Sequence, residues 1–311
     1  MKLVVQIPCL NEEKTIEQVI NQIPKKIKGI DEILVLIIDD GCSDRTCEIA
    51  EKLGCIILSN KKNMGLGNSF RFGQMKALEL GADILVNTDG DDQYPGKYIT
   101  DLVRKLIDCD ADIVIGDRET SKIEHFSPIK KFLQFLGSKT VNVLSDNSVK
   151  DTVSGFRAYS KEALIQLNVT SKFSYVIDTI IQASKKNLKI EEILIKTNRP
   201  TRKSRLFKNI FEHIKKSTTD MVRVYVMYEP LKFFTLSGLF FLFLSLVLFL
   251  RFLFYYLAGY DGLIQSLIIS GVLFGVFLSL LGLGIIGDIN NKNRMLLEEI
   301  IINQRREKFE K

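Results

Sequence analysis

The stretch Val86-Asn-Thr-Asp-Gly-Asp-Asp-Gln-Tyr-Pro95 joins a short apolar run, typical of a buried strand, to an acidic loop. Asp89 and Asp91 stand one residue apart where that strand ends, so both carboxylates can turn toward one point and hold a hard divalent cation through their oxygens. Asp and Gly also cluster in ordinary turns, and a lone Asp-x-Asp recurs by chance. The neighbouring sequence has to decide between a metal loop and a plain turn.

Short β-branched runs alternate with helical patterns over residues 1 to about 200. The runs predict strands at Leu3–Ile7, Glu32–Ile38, Cys55–Leu58, Ile84–Asn87, Ile113–Ile115 and Ile190–Ile195. Helices are predicted near Thr15–Ile23, Arg45–Leu53, Asn68–Leu80, Tyr98–Ile107, Ile129–Leu144 and Tyr175–Lys186. This alternation predicts an α/β fold with a mostly parallel sheet flanked by helices.

Polar residues gather after five of the predicted strands. They lie at Pro8–Glu13, Asp39–Asp44, Asn63–Gly67, Asp89–Gln93 and Gly116–Arg118. In an open parallel sheet the ligand crevice lies at the carboxyl ends of the strands. The five loops are therefore expected to converge on one site, which favours the metal loop over the plain turn.

Two long uncharged runs follow the α/β region. Phe233–Leu250 has eighteen residues and Leu263–Gly287 has twenty-five, and each is long enough to cross about 30 Å of hydrocarbon as a helix. Buried core helices are the alternative, but soluble cores rarely need uncharged runs of this length. Basic residues flank the pair on both outer sides, and the short turn between them is Ala258–Gly262. The positive-inside bias therefore predicts two membrane spans with both termini in the cytoplasm.

These patterns predict four segments. They are an α/β domain at 1–205, an amphipathic juxtamembrane helix at 206–230, a two-helix transmembrane hairpin at 231–289 and a charged cytoplasmic tail at 290–311. The amphipathic helix is expected to lie in the headgroup layer, and its alternative is packing against the α/β domain. Small residues such as Gly271, Gly275, Gly282 and Gly284 could permit close helix contacts, including those of a homo-oligomer.

Charge and cysteine usage narrow the classes of partner. The net charge of +6 arises from basic residues near the apolar runs, which favours a membrane surface or lipid phosphates over nucleic acid. The five cysteines, Cys9, Cys42, Cys47, Cys55 and Cys109, show no Cys-x-x-Cys pair and no His at metal spacing. They are predicted to be reduced structural thiols.

Six motifs occur in order along the chain. They are Ile7-Pro-Cys-Leu-Asn-Glu-Glu13, Ile38-Asp-Asp-Gly-Cys-Ser-Asp-Arg-Thr46, Asn63-Met-Gly-Leu-Gly67, Asp89-Gly-Asp-Asp-Gln-Tyr-Pro95, Ser154-Gly-Phe-Arg157 and Arg199-x-x-Arg-Lys-Ser-Arg-Leu206. Together they resemble the glycosyltransferase family 2 enzymes with a GT-A fold, within them the polyprenyl-phosphate, dolichol-phosphate-mannose-synthase-like branch. The resemblance covers about residues 3 to 206, and two trailing membrane helices suit it.

The resemblance implies a function and a set of site residues. It implies inverting transfer of a hexose from a UDP- or GDP-linked sugar to undecaprenyl or dolichyl phosphate at the cytoplasmic membrane face, with Mg²⁺ or Mn²⁺ as cofactor. Asp89, Asp91 and Gln93 would hold the metal. The residues implied beside the nucleotide sugar are Pro8, Asn11, Glu12, Asp39, Asp89, Gln93, Arg199 and Arg205. Those implied beside the acceptor phosphate are Lys131, Ser138, Ser154, Arg157 and Ser204, with Asp91 and Arg118 as catalytic groups.

Several of these residues have plainer alternatives. Asn11 could instead cap the following helix, Asp40–Asp44 could form a turn, and any one cation could be a solvated surface charge. Asp92 is predicted to be a solvated turn residue. Two positions depart from the family pattern: Arg202 stands where Gly is common, and Gly155 stands where many relatives carry an Asp that is a candidate base. Because Gly155 replaces that candidate base, no catalytic base is assigned from the sequence. Asp151, in the same motif, is at most an orienting residue.

The implied chemistry suits these residue types. A bound Mg²⁺ or Mn²⁺ stabilises the charge of a departing diphosphate, and a lipid phosphate is already anionic, so it needs no strong base. A processive polysaccharide synthase is the nearest alternative, but the chain has no Trp for that group's Gln-x-x-Arg-Trp motif and two spans make a poor polymer channel. A catalytically silent membrane adaptor is the other alternative, and the intact acidic and Ser154–Arg157 motifs argue against it.

Overall fold

The computed structural model describes residues 1–119, 137–139, 141–142, 145, 148–169, 175–199, 218–219, 222–223, 225–260 and 263–310. Most of the predicted helix at 129–144 and of the predicted amphipathic helix at 206–230 lies outside these residues. The chain forms two compact units. The first contains the described residues up to 199 together with 302–310, and the second contains the described residues between 218 and 301.

The first unit is built around one sheet. Its described strands are β1 (Lys2–Cys9), β2 (Glu32–Asp39), β3 (Ile56–Ser59), β4 (Ile84–Asn87), β5 (Ile113–Asp117), β6 (Arg157–Ser160) and β7 (Ile190–Leu194). The helices are α1 (Ile16–Asn21), α2 (Thr46–Lys52), α3 (Leu66–Glu79), α4 (Tyr98–Asp108), α5 (Lys161–Gln166) and α6 (Val176–Lys185). The six predicted strands are confirmed, and the five predicted helices that fall on described residues are confirmed within a few residues at each end.

The strand order is β3-β2-β1-β4-β6-β5-β7. Every neighbouring pair is parallel except the two that involve β6. In β1 the successive residues Leu3, Val4 and Val5 are all fully buried, because helices cover both faces of a sheet of this kind. The fold is therefore the mostly parallel α/β sheet that the sequence predicts.

Strand β6 and helix α5 were not predicted. Arg157–Ser160 is only four residues long and carries a charged and a polar residue at its ends, so it lacks the apolar alternation of a strand. It runs antiparallel to β4 with Arg157 opposite Asn87. Its start therefore lies at the carboxyl end of β4, and the residues before it, Ser154 and Gly155, are delivered to the same edge as the acidic loop.

The second unit contains helix α7 (Pro230–Leu257) and most of helix α8 (Ile264–Phe309). By length and composition both are able to cross a membrane, with mean hydropathies of 2.5 and 2.4. Ser245 and Ser270 each donate a hydroxyl hydrogen bond to the other's carbonyl oxygen at 2.9 Å, which joins the two helices. Of the glycines predicted to permit close contact, Gly284 does so, since a Cβ there would lie 3.3 Å from Cβ of Phe234.

Helix α8 does not stop at the predicted end of the span near residue 289. It continues through the charged sequence to Phe309, and its last residues pack within the first unit. Arg305 is 8% exposed and its Nη1 donates to the carbonyl oxygens of Ile165 (3.0 Å) and Leu167 (2.8 Å), at the end of α5. Over 302–310, the segment predicted as a charged tail is thus part of the α/β unit.

Candidate active site at the carboxyl ends of the strands

The loops after β1, β2 and β4 are hydrogen-bonded to one another. Thr15, after the β1 loop, donates from Oγ1 to the carbonyl oxygen of Gly90 at 2.6 Å. The amide of Glu13 donates to the Asp44 carboxylate at 3.1 Å, which joins the β1 and β2 loops. The predicted convergence of these loops on one edge of the sheet is confirmed.

Asn11 and Glu12 shape the loop that follows β1. Asn11 has a positive φ of 58° and its Oδ1 accepts from the amide of Ser43 at 2.7 Å. It does not cap the next helix, whose N-cap residue is Thr15. Glu12 is 6% exposed, and a Cβ at Gly90 would lie 3.2 Å from its Cγ, so Glu12 lies directly against the acidic loop. Pro8, near the end of β1, is partly exposed.

Asp39 ends β2 with its carboxylate held in a fixed direction. Oδ1 accepts from the amides of Gly41 (3.0 Å) and Cys42 (2.6 Å). Burial works against ionisation, but the hydrogen bonds from Cys42 outweigh it, so the pKa of Asp39 lies below its ordinary value. Gly41 has a φ of 91°, and a Cβ there would lie 3.0 Å from the amide nitrogen of Asn63, which explains why glycine occupies this turn. Asp39 is thus a charged acceptor facing the site.

The two next aspartates organise the loops. Asp40 accepts from the amides of Met64 (2.8 Å) and Gly65 (3.1 Å), which holds the Asn63–Gly67 loop in place. Asp44 accepts from the amide of Thr46 at 3.0 Å, at the start of α2. Asp40 and Asp44 therefore shape the loops locally, which is the plainer role that the sequence left open for the segment Asp40–Asp44.

Asp91 and Gln93 form a fixed pair within the acidic loop. Gln93 donates from Nε2 to Asp91 Oδ2 at 2.8 Å and from its amide to Oδ1 at 3.2 Å, and Asp91 is only 9% exposed. Asp89 lies on the side of the loop that faces Gly155, where a Cβ would stand 3.7 Å from its Oδ1. Two carboxylates with hard oxygen donors fit Mg²⁺ or Mn²⁺, which would complete their coordination with further oxygens such as those of phosphate or water.

Asp92 is not the solvated turn residue that was predicted. It has a φ of 60° and is 6% exposed, and its carboxylate accepts from the side-chain amides of Gln18 (2.7 Å) and Gln22 (2.9 Å) on and after α1. These two contacts fix the acidic loop to the first helix. The prediction was wrong because the partners lie about 70 residues away in the chain.

The segment after β7 returns to the acidic loop. Asn198 donates from its amide to the carbonyl oxygen of Gln93 at 3.0 Å and from Nδ2 to that of Asp92 at 2.8 Å. Arg199 follows directly and is exposed. The structure therefore brings the predicted cation at 199 close to the predicted metal loop.

Arg118 is held by Asp151. Nε donates to Oδ2 at 2.6 Å and Nη2 to Oδ1 at 2.9 Å, with the two side chains 12% and 2% exposed. Burial alone would favour the neutral form of Arg118, but nearby negative charge, including that of Asp151, outweighs it and the pKa of Arg118 is raised. Arg118 is thus a permanent cation at the end of β5, and Nη1 is the nitrogen that this ion pair does not use.

Arg157 supports the site from inside the unit. It is fully buried, and its guanidinium donates to the carbonyl oxygens of Ser154 (2.7 Å), Val176 (2.9 Å) and Thr152 (3.0 Å). This geometry corrects the predicted contact of Arg157 with an acceptor phosphate, because the guanidinium faces main-chain carbonyls and not the crevice. Ser154 is itself fully buried.

Gly155 is surrounded by side chains that the sequence reasoning missed. Asn87 donates from Nδ2 to Tyr175 Oη (2.7 Å) and to the carbonyl oxygen of Gly155 (3.0 Å). Tyr175 stacks on Phe70 with ring centroids 4.2 Å apart. Asn87 had a signal in the sequence, since it is the polar residue that ends a fully buried strand. Tyr175 had none, because it precedes α6 far from the motifs.

The remaining predicted residues lie at the margin of the described structure. Ser138 is 8% exposed, and its hydroxyl lies 3.0 Å from that of Thr152. Lys131, Ser204 and Arg205 fall outside the described residues. Their predicted contacts with the lipid phosphate or nucleotide stay predictions.

Cys42 and Cys47 lie beside Asp39. Burial raises the pKa of Cys42 to about 12 and that of Cys47 to about 11, so both are thiols at neutral pH. All five cysteines are free of disulfides in the structure.

A mostly parallel sheet with one antiparallel strand, and an acidic loop at the carboxyl end of β4, define a GT-A nucleotide-diphospho-sugar transferase fold. The chain belongs to glycosyl transferase family 2, whose family model matches residues 4–167. It is a glycosyltransferase, and the resemblance drawn from the six motifs is confirmed.

Two relatives and one solved structure show the range of the similarity. The UDP-N-acetylglucosamine–dolichyl-phosphate N-acetylglucosaminyltransferase of Methanococcus voltae is 32% identical over 61% of this chain and 83% of its own. The dolichyl-phosphate hexose transferase of Haloferax volcanii is 29% identical over 62% and 81%. Glucosyl-3-phosphoglycerate synthase from Mycobacterium tuberculosis, in complex with Mn²⁺, UDP and glucosyl-3-phosphoglycerate, has a TM-score of 0.54 and 18% identity over 72% and 78%. This last likeness shows the fold.

Proposed function

We propose that this glycosyltransferase moves a hexose or N-acetylhexosamine from a nucleotide diphosphate sugar to dolichyl phosphate or a related polyprenyl phosphate. The observation that carries the proposal is the acidic loop at the end of β4, with cations at Arg118 and Arg199 around the same edge of the sheet, in a chain with two apolar helices. The two dolichyl-phosphate transferases among the relatives support this acceptor class.

We assign the donor half of the site to Asp39, the acidic loop and Arg199. Asp39 accepts a hydrogen bond from the base or ribose, since its carboxylate is ionised and fixed by two backbone amides. Asp89 and Asp91 hold Mg²⁺ or Mn²⁺, and Gln93 fixes the orientation of Asp91. When bound, the metal supplies Lewis-acid stabilisation of the negative charge on the leaving diphosphate. Arg199, on the segment held at the loop by Asn198, adds a cation for the same charge.

The acceptor half needs cations more than a base. A phosphate oxygen of the lipid forms the new bond to the anomeric carbon, while the bond from that carbon to the donor diphosphate breaks and the diphosphate leaves with the electron pair. Attack from the face opposite the leaving group inverts the anomeric configuration. Arg118 orients the acceptor phosphate through Nη1, and Asp151 acts as a positioning residue because it fixes the guanidinium plane.

The apolar helices support a membrane location for this chemistry. Helices α7 and α8 span the bilayer as a hairpin, with the first unit and both termini on the cytoplasmic side. Such an arrangement matches an acceptor whose phosphate lies in the headgroup layer. The proposal also favours single transfer over polymer synthesis, because two spans do not enclose a channel.

The test uses membranes that contain the full chain. They are incubated with a panel of labelled UDP- and GDP-sugars, with and without EDTA, and the lipid is extracted. We expect one labelled lipid, which forms only when metal is present and from which mild acid releases the sugar. This product should be absent from membranes that contain Asp91→Ala. A polymer would instead support a processive synthase. If the protein bound nucleotide but transferred no sugar to any lipid phosphate, the proposed transfer to a polyprenyl phosphate would be wrong. The result would favour the non-catalytic membrane adaptor.

A further inference from the structure

Three ligand atoms of a kind that zinc prefers lie together beside the nucleotide end of the site. A carboxylate oxygen of Asp39 and the Sγ atoms of Cys42 and Cys47 are all within 4.8 Å of one another. The cluster joins three consecutive pieces of structure: the last residue of β2, the turn after it and the first turn of α2. Sequence spacing did not reveal it, because the third ligand is an aspartate and no His is involved.

The backbone around these three residues is fixed. The amide of Cys42 donates to Asp39 Oδ1 at 2.6 Å, and the amide of Asn11 donates to the Sγ of Cys42 at 3.2 Å. Asp44 accepts from Thr46, the residue before Cys47, which sets the start of α2. These bonds hold the Asp39 carboxylate, the Cys42 sulfur and the start of α2, on which Cys47 lies, without the help of a metal.

The dimensions suit a tetrahedral cation. Zinc binds sulfur at about 2.3 Å and carboxylate oxygen at about 2.0–2.2 Å, so tetrahedral ligand atoms lie roughly 3.5–3.8 Å apart. Closing the cluster from at most 4.8 Å requires side-chain shifts of about 1 Å. Asp39 is 8% exposed while both cysteines are partly exposed, so the cluster can be reached from solvent through the cysteines.

The acidic loop and the Asp39, Cys42 and Cys47 cluster differ in the type of ligand atom that they offer a cation. Asp89 and Asp91 offer only hard oxygens, which suit Mg²⁺ or Mn²⁺, whereas two thiolates and one carboxylate select a thiophilic ion. We propose that Asp39, Cys42 and Cys47 bind one zinc-class divalent cation, and that this cation competes with the nucleotide. Binding replaces the two thiol protons, which leave to solvent, and transfers no electrons. The competition rests on the proposed function, since Asp39 cannot serve both the base or ribose and the cation.

The site itself is tested with Co²⁺ as the probe on the purified full chain in detergent with a non-thiol reductant. One equivalent is expected to give a thiolate-to-cobalt charge-transfer absorption that Zn²⁺ removes. Cys42→Ser and Cys47→Ser should each lose most of this absorption, whereas Cys55→Ser and Cys109→Ser should keep it. Absence of the absorption in the unaltered protein, or its full retention in the Cys42→Ser/Cys47→Ser double variant, overturns the site.

The competition is tested separately. UDP or GDP, whichever binds in calorimetry with Mg²⁺ present, should raise the free Co²⁺ concentration for half-saturation by about tenfold at a nucleotide concentration about ten times its dissociation constant. An unchanged half-saturation overturns the competition and leaves the cation site standing. If neither nucleotide binds even with Mg²⁺ present, the proposed donor chemistry fails and the competition with it, while the cobalt absorption still decides the cation site.

Discussion

Asp151 holds Arg118 at the end of β5 through two parallel hydrogen bonds, from Nε to Oδ2 at 2.6 Å and from Nη2 to Oδ1 at 2.9 Å. The two residues are 33 positions apart and nearly buried. Through this contact the segment before β6, which carries Asp151, fixes the position of Arg118, the cation that we assign to the acceptor phosphate. A residue that the sequence suggested only as an orienting group thus has a definite structural role.

Replacing Asp151 by Asn is expected to destabilise the protein by about 3–5 kcal/mol, because it leaves a buried guanidinium without its counter-charge. The measurement is the free energy of unfolding of the first unit, followed by tyrosine fluorescence or circular dichroism in the full chain. Lys105→Met is the matched control, since its ion pair with Glu191 is about one-third exposed on both sides and should be worth less than about 1 kcal/mol. Equal effects for the two variants would contradict this assignment.

Asp91→Asn is expected to reduce sugar transfer by about 100-fold to 1000-fold, a range typical for loss of one group that stabilises developing charge. It should also weaken Mn²⁺ binding, measured by calorimetry in the presence of nucleoside diphosphate. Asp101→Asn on the exposed side of α4 is the control. Unchanged Mn²⁺ affinity in Asp91→Asn would remove Asp91 from the metal site.

Gly155→Ala is expected to cost about 1–3 kcal/mol through overpacking. The new Cβ would lie 2.9 Å from Tyr175 Oη, and this ring cannot move freely because it is fully buried and stacked on Phe70. Transfer activity should fall as well, since the same Cβ faces Asp89. Gly271→Ala has nothing within 4 Å of its Cβ position and should leave the melting temperature unchanged; a comparable loss in both variants would refute the steric argument.

The stability of the protein is expected to depend on pH through Glu192. Burial raises the pKa of Glu192 above 4.5, and the charge of Asp117 adds to the rise against an opposing hydrogen bond from the Lys150 amide. The folded state therefore binds this proton more tightly than the unfolded state. The resulting stability is fully present below the unfolded value of 4.5 and is lost as pH rises through the folded pKa.

Glu192→Gln, which cannot ionise, should gain stability relative to the unaltered protein as pH is raised from 4.5 to about 7. The difference in melting temperature between the two proteins, followed across that range, measures it. Glu51→Gln, on the exposed surface of α2, serves as the control. A constant difference for Glu192→Gln across the range would exclude the shift.

Arg305→Met is expected to destabilise the first unit by about 1.5–3 kcal/mol, the usual loss for hydrogen bonds that involve a charged donor. The reason is that the carbonyl oxygens of Ile165 and Leu167, at the end of α5, both lose a charged donor, although Leu167 keeps the hydrogen bond from Gln74 Nε2 at 2.8 Å. Lys308→Met, whose side chain is 61% exposed and 3.7 Å from Glu79, should change stability by less than about 1 kcal/mol. Thermal unfolding of the full chain compares the two.

The sequence predicted what depends on local pattern. Apolar runs indicated the six strands, and the turn residues after them located the loops that converge at Asp39 and Asp89. It failed where a role depends on distant contacts. Asp92 has the composition of a turn residue, yet Gln18 and Gln22 bury it, and Arg157 has the charge of a phosphate ligand, yet carbonyl groups surround it.

The same reason explains the missed strand and the tail. Arg157–Ser160 becomes a strand because β4 and β5 leave a place between them, not because of its own propensity. Residues 302–310 have the composition of a charged tail, but Arg305 donates to two carbonyl oxygens about 140 positions earlier in the chain. Neither contact leaves a periodicity that a single sequence can show.

The position of Arg305 also has a consequence for the order in which the protein is made. Domains generally fold as they leave the ribosome, the N-terminal parts first. Here Arg305, which contacts the end of α5, is translated more than a hundred residues after α5 itself. Both apolar stretches are synthesised before it. The α/β unit therefore reaches its full set of contacts only once α7 and α8 have been synthesised, so completion of the catalytic unit depends on translation of both apolar helices.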